Sequence, residues 1–194
     1  MTRPFLTAAA LLLVAVLGWQ ALRRLPARPG KGPSVQDLAK LRALSQILLS
    51  RNDNDPRLDR DFNDLSPAAK ELFRRLYREL PPERRNERGT VVYLLGRNLS
   101  SAEDWEFLAS VAGEPPCLSL SDCSKAWPGD AEHGGDEVTL AYPSLVALKS
   151  AEAALASGAP KSRAKTVILA GRKSGMPAVV RLAGRLEAGL SAGR

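Results

Sequence analysis

The chain is poor in the side chains that most often carry chemistry. Its 194 residues include one histidine and two cysteines, and only 5% of them are aromatic. It has no P-loop, no G-x-S-x-G nucleophile motif and no H-E-x-x-H zinc motif. A core with so few rings must be built mainly from Leu, Val and Ala, which favours helices. We therefore predict an all-α protein that is not an enzyme and needs no cofactor.

The positive charge of the chain is concentrated near its beginning. The formal net charge is +7, and five of these charges come from the first 31 residues, at Arg3, Arg23, Arg24, Arg28 and Lys31. The rest of the chain is close to neutral, whereas nucleic-acid-binding domains usually carry a basic patch or stripe. We therefore expect no nucleic acid among the partners.

The longest apolar run lies near the N-terminus. Residues 4–22 read PFLTAAALLLVAVLGWQAL, 19 positions without a charge. As a helix this run is about 28 Å long, close to the hydrocarbon thickness of a bilayer. The pattern predicts a signal anchor or transmembrane helix over residues 1–24, in contact with membrane lipid. Its interface residues are Arg3, Trp19, Arg23 and Arg24.

Two alternatives concern how this segment is processed and oriented. The stretch from Gly18 to Arg24 has no clean A-x-A site, which favours an anchor over a cleaved signal peptide and a secreted product. The positive residues after the run favour a cytoplasmic domain. Cys117 and Cys123, in CLSLSDC, favour a disulfide and thus an oxidising compartment, although two unrelated thiols remain an alternative. We predict a single-pass protein of a bacterial inner membrane with a periplasmic domain.

The remaining chain divides into a linker and a helical domain. Residues 25–33 (LPARPGKGP) contain three prolines and two glycines and cannot hold a helix. Residues 34–194 carry successive amphipathic patterns, interrupted by an irregular insertion over residues 114–136 that holds both cysteines. We predict a helical-hairpin bundle or a short α-solenoid.

Several helix boundaries follow from capping signals and prolines. Ser34 caps a helix whose apolar face runs from Val35 to Leu48, and Ser66-Pro67 begins another. A further helix is predicted over residues 82–98. Ser100 and Glu103 have the spacing of a capping box for the next one. Later helices are expected over residues 137–156, with a break near Pro143, and over residues 162–173 and 177–190.

The segment NERGTVVYLLGRNLSSAEDWEFLASV, residues 86–111, has a helix, a tight turn and a second helix with a small-plus-leucine inner face. It resembles an element of the HEAT and armadillo repeats, and the resemblance extends over about residues 66–190. This resemblance implies stacked helical pairs that bind another protein.

Three polar clusters are candidate sites. His133 lies among four carboxylates in DAEHGGDE, where it suits a metal ligand or a base, but a solvated loop is the favoured interpretation. Asn52 to Asp55 begin like a calcium loop, but Pro56 and Arg57 break the pattern and favour a polar turn. Six arginines interleaved with glutamates indicate a wet surface with ion pairs, or a face for an acidic partner or lipid headgroups: Arg74, Arg75, Arg78, Arg84, Arg85 and Arg88.

These observations lead to one functional hypothesis and two alternatives. We expect a non-enzymatic, membrane-anchored scaffold that binds another protein in a groove between its helices. One alternative is an accessory subunit of an inner-membrane assembly with a cytoplasmic domain and reduced thiols. The other is a small metal-binding or enzymatic module that uses His133 and its carboxylates.

Overall fold

Local capping signals determine where most helices begin. In the computed structural model, which describes residues 32–119, 122–123 and 137–192, Ser34 and Asp37 form a capping box and the Ser66 hydroxyl accepts from the Ala69 amide. The described residues contain nine helices and no strand. They are α1 (Val35–Ser50), α2 (Arg57–Arg60), α3 (Pro67–Glu79), α4 (Arg85–Gly96), α5 (Ala102–Ala112), α6 (Glu137–Leu140), α7 (Tyr142–Ala156), α8 (Lys161–Arg172) and α9 (Pro177–Ala192).

The all-α prediction is confirmed for this part of the chain, and Pro143 does divide the helix predicted over residues 137–156. α6 ends at Leu140, and α7 begins at Tyr142 with Pro143 in its first turn. The predicted anchor over residues 1–24, with Arg3, Trp19, Arg23 and Arg24, lies outside the described residues. No helix within residues 32–119 or 137–192 is long and apolar enough to cross a bilayer.

Two predicted boundaries were wrong by a few residues. α4 begins at Arg85 rather than near Pro82, because the tandem prolines end α3 and a turn closed by the Arg84 amide on the Pro81 carbonyl follows (3.0 Å). The capping box of α5 uses Ser101 and Asp104 rather than Ser100 and Glu103. The one-residue shift turns the Asp104 carboxylate toward the protein interior, where it accepts hydrogen bonds from Lys70 and Arg74.

The apolar face predicted for α1 is buried only in its second half. Leu44, Ile47 and Leu48 belong to the core, whereas Val35 is 87% exposed and Leu38 is 47% exposed. α1 packs mainly on α3, and the described contacts of its first turns are polar: Asp37 accepts from the Ser66 hydroxyl (2.6 Å), and Lys40 pairs with Asp64 (2.6 Å). Periodicity identified the apolar side of this helix but not how far its partner extends.

The core lies where two helical pairs pack on one another. α4 packs on α7 and α5 packs on α8, while α7 also contacts α5 and α9. The fully buried side chains at these contacts are mostly aliphatic, as a chain with few aromatic residues requires. They include Val91, Val92, Leu94, Leu108, Val111, Leu148, Val167 and Ile168.

A glycine sets the distance between α4 and α7. A Cβ atom placed on Gly96 would lie 2.1 Å from the Ser150 Oγ and 2.5 Å from its Cβ, well inside van der Waals contact. The second of these atoms is fixed to the α7 backbone, so a larger residue would require the helices to separate.

Gly96→Ala is therefore expected to lower the free energy of unfolding by about 1 kcal/mol. Overpacking costs about 1–3 kcal/mol, and the better helix propensity of alanine offsets about 1 kcal/mol of this. Urea denaturation followed by circular dichroism measures the change. The matched control is Gly189→Ala in α9, where a Cβ meets nothing within 4 Å and a small gain in stability is expected. Equal gains in both variants would contradict the close contact.

Candidate functional site

A groove runs along the outer side of α7. Its volume is 1650 Å³, α7 forms its floor, and its walls come from the turn between α4 and α5 on one side and from α9 on the other. The turn that joins α7 to α8 closes one end. The apolar lining is made of Leu99, Trp105, Val138, Leu145, Val146, Ala153, Ala154, Ala159, Ala178 and Leu182.

α7 has two apolar faces rather than one. Its core face carries Ala147, Leu148 and Ala151, each with no exposed surface. Its groove face repeats at helical spacing, with Tyr142 at the start of the helix and small residues in its second half: Ser150, Ala153, Ala154 and Ser157. These short side chains leave space above the second half of the helix.

The charged residues that line the groove are all positive in the described part of the chain. Five cations from four elements surround it, namely Arg97, Lys149, Arg163, Arg181 and Arg185, and among the described residues no Asp, Glu, His or Cys lines it. Three of them have acidic neighbours outside the groove, because Arg97 contacts Asp59, Lys149 contacts Glu152 and Arg181 contacts Glu137. Arg163 and Arg185 are exposed and have no ion-pair partner within the described ranges. The rim is therefore basic, and two of its charges have no counter-charge among the described residues.

One corner of the groove is held by a small polar network. Arg97 Nη1 lies 2.7 Å from an Asp59 carboxylate oxygen, and the Tyr93 hydroxyl donates to the same oxygen (3.0 Å). The Arg97 guanidinium also lies 5.2 Å from the centre of the Tyr93 ring. Burial of the phenol, followed by its bond to Asp59, raises the pKa of Tyr93, so this ring stays neutral at physiological pH.

The wall between α4 and α5 is fixed from behind by a buried ionic cluster. Lys70 Nζ donates to Asp104 Oδ2 (2.8 Å) and to the Ser100 hydroxyl (2.8 Å), and Arg74 donates to Asp104 Oδ1 (2.9 Å). Asp104 also accepts from the amides of Ser100 and Ser101. Only 2% of the Asp104 side chain and 5% of the Lys70 side chain are exposed. Since Ser100 and Trp105 line the groove, the cluster holds that wall in place.

The predicted arginine face is not one exposed surface. Arg75 and Arg78 are exposed, whereas the partly buried Arg84 pairs with the buried Glu87 of α4 (2.8 Å). Arg74 belongs to the Asp104 cluster. Arg88 Nη2 donates hydrogen bonds to both carboxylate oxygens of Glu114, and the Arg88 guanidinium lies 4.1 Å from the centre of the Tyr77 ring. The interleaved charges therefore serve several separate contacts.

Arg85, in the same predicted face, is 5% exposed and supports the loop that carries the cysteines. Cys117 and Cys123 are joined by a disulfide, with their Cα atoms 4.8 Å apart, as the sequence predicted. Arg85 Nη2 donates to the carbonyl of Cys117 (3.2 Å) and to that of Ser119. On the other side of the loop, the Cys123 amide donates to Glu83 (2.8 Å), and this bond lowers the pKa of Glu83.

The other two candidate clusters do not form a site here. His133 and its neighbouring carboxylates lie outside the described residues. Asp55 makes a two-point contact with Arg57, at 3.0 and 2.8 Å, so its carboxylate is directed at a guanidinium. Asn52 accepts from the Asn54 amide, as in a polar turn. Among the described residues, no group of three His, Cys, Asp or Glu side chains is placed to hold a metal ion.

The sequence alone did not identify the cations of the groove. They are distant in the chain and only the packing of α4, α7, α8 and α9 brings them together. One local signal was present: Ala178, Arg181, Leu182 and Arg185 have the i, i+3, i+4, i+7 spacing of one helix face. Alternating small, apolar and basic residues on one face is typical of a groove wall as well as of a solvated surface, so this signal was not decisive.

No known protein family, curated protein or solved structure is significantly similar to this chain. The resemblance to HEAT and armadillo repeats thus stays a prediction from the sequence pattern.

Proposed function

We propose that the chain is a non-enzymatic helical scaffold, anchored in the membrane by residues 1–24, that binds another protein through the groove along α7. The observation that carries the proposal is the groove itself: an open apolar floor with a basic rim. Grooves of this kind, between packed helices, are a common site for recognition of peptide segments. Within the part of the chain that the structure describes, the charged lining consists of cations, which suits binding better than proton transfer.

The stacking of the helices supports the scaffold role. α4 and α5 form one pair and α7 and α8 the next, and the pairs meet first helix on first helix and second on second. This arrangement, with α4 packed on α7 and α5 packed on α8, is the stacking found in α-solenoids, whose surfaces bind other proteins. We extend the proposal to a short solenoid of the HEAT type.

The disulfide supports a location outside the cytoplasm. Disulfides persist in the periplasm and are rare in the reducing cytosol. We therefore propose an inner-membrane protein whose helical domain lies in the periplasm. This choice sets aside the charge flanking residues 4–22, which by itself favours the opposite orientation.

Photo-cross-linking in intact cells tests the proposal. A photoreactive phenylalanine analogue at Ala153, an exposed groove position, is expected to form an adduct with one discrete protein. The matched control is the same substitution at Lys165, which is exposed on α8 and does not line the groove. Adducts of equal yield at both positions, or none with any protein at Ala153, would refute a role for the groove in protein binding.

A further inference from the structure

We infer that the groove binds an acidic, amphipathic α-helix of the partner protein. This inference rests on the proposed function and specifies the chemistry of what the groove recognises. It follows from three properties of the groove: its length, the arrangement of its apolar surface and the distribution of its charge.

The length of the floor suits a helix of about four turns. α7 has 15 residues, and at 1.5 Å per residue its axis extends for about 22 Å. Groove residues are present from Tyr142, at its first position, to Ser157 and Gly158 just past its end. A helix of about 15 residues laid along α7 therefore spans the whole groove.

The walls leave space for a helix and supply apolar contacts to it. Leu99 and Trp105 lie on one wall and Leu182 on the other, with Val146 in the floor between them. The small side chains Ser150, Ala153 and Ala154 allow a helix to approach α7 closely. The groove thus offers a stripe of apolar surface, which an amphipathic helix matches with residues at i, i+3, i+4 and i+7.

The charges indicate a polypeptide rather than a lipid. An anionic lipid concentrates its charge in one headgroup, so a lipid site has its cations at one end. Here the cations come from both walls and from the floor, from Arg97 after α4 to Arg181 and Arg185 in successive turns of α9. A helix with acidic residues on both sides of an apolar stripe places a carboxylate near each of them.

Arg163 and Arg185 provide the sharpest test. Both are exposed and neither has an ion-pair partner within the described ranges, so reversing their charge breaks no contact that holds the fold. The double substitution Arg75→Glu with Lys165→Glu is the matched control. It changes the net charge equally, at exposed positions outside the groove.

The experiment uses the full chain in phosphatidylcholine nanodiscs and a fluorescein-labelled peptide of about 15 residues, as long as the floor of the groove. The peptide has leucines at i, i+3, i+4 and i+7 spacing and glutamates elsewhere, and a second peptide carries lysine at every glutamate position. Fluorescence anisotropy is expected to show saturable binding of the glutamate peptide alone. R163E/R185E should weaken this binding by about tenfold, the control variant by less than about twofold, and added salt should weaken it further.

Any one of four results would overturn the inference. The first is equal binding of the lysine peptide, and the second is unchanged affinity in R163E/R185E. The third is displacement of the glutamate peptide by dihexanoyl-phosphatidylglycerol where the phosphatidylcholine analogue has no effect, which would identify an anionic lipid as the occupant. Cross-linking at Ala153 without binding of the glutamate peptide would refute the acidic helix and leave the proposed function standing. Absence of cross-linking would refute the proposed function itself.

Discussion

Asp104→Asn is expected to lower the free energy of unfolding by about 3–5 kcal/mol, because it removes one charge from a buried ionic cluster. The Asp104 carboxylate lies 2.8 Å from Lys70 Nζ and 2.9 Å from Arg74 Nη1, with almost no exposed surface. An asparagine keeps the shape of the side chain but leaves the Lys70 ammonium buried without a counter-charge. The cost arises mainly from that uncompensated charge.

Urea denaturation followed by circular dichroism measures this loss, and Asp59→Asn is the control. Asp59 also pairs with an arginine, at 2.7 Å, but its side chain is 74% exposed. Removal of such a surface pair is expected to cost no more than about 1 kcal/mol. Losses of similar size in the two variants would show that burial does not determine how much the Asp104 cluster contributes to the free energy of unfolding.

The cluster also predicts a dependence of stability on pH. Burial alone raises the pKa of Asp104, but the bonds from Lys70 and from the amides of Ser100 and Ser101 outweigh it and hold the pKa below its ordinary value. The stabilisation is therefore fully present above the unfolded-state pKa of about 3.9 and is lost as the pH falls through the lower folded-state pKa. Asp104→Asn should show a flatter loss of stability below about pH 4 than the native chain.

The second large effect is expected from Cys117→Ser with Cys123→Ser. The disulfide closes a short loop, with a sequence separation of 6, and the loss of this constraint on the unfolded chain costs about 2 kcal/mol. Because Arg85 and Glu83 hold the loop from two sides, we expect the loop to remain attached to α4 and the groove to be preserved. Binding of the glutamate peptide should therefore change little while stability falls.

Reductant provides the control for the cysteine variant. Dithiothreitol should lower the stability of the native chain by the same amount and leave that of the double serine variant unchanged. In intact cells, thiol trapping before and after reduction is expected to find both cysteines blocked by the disulfide. Free thiols that a membrane-impermeant reagent does not reach would contradict the periplasmic location and move the search for the partner to the cytoplasm.

Much of the secondary structure could be predicted because its signals are local. Ser34, Ser66-Pro67 and Pro143 mark helix starts through hydrogen bonds and steric limits that involve only their neighbours in the chain. In α4 the apolar residues Val91, Val92, Leu94 and Leu95 are the ones that the structure buries. Two predicted helix starts were wrong because a similar signal lies close by. Pro82 precedes the observed start of α4 at Arg85 by three residues, and Ser100 precedes the observed cap Ser101 by one.

The sequence by itself determined that this chain is helical, where most of its helices begin, and that two cysteines lie close enough to pair. These properties depend on short-range interactions, which a single chain segment contains in full. Tertiary structure alone decided which charges are buried and where a groove forms. Arg85 and Arg75 are alike in sequence, but one supports a disulfide loop and the other faces solvent. The difference comes from long-range packing, since desolvation and charge pairing depend on elements far apart in the chain.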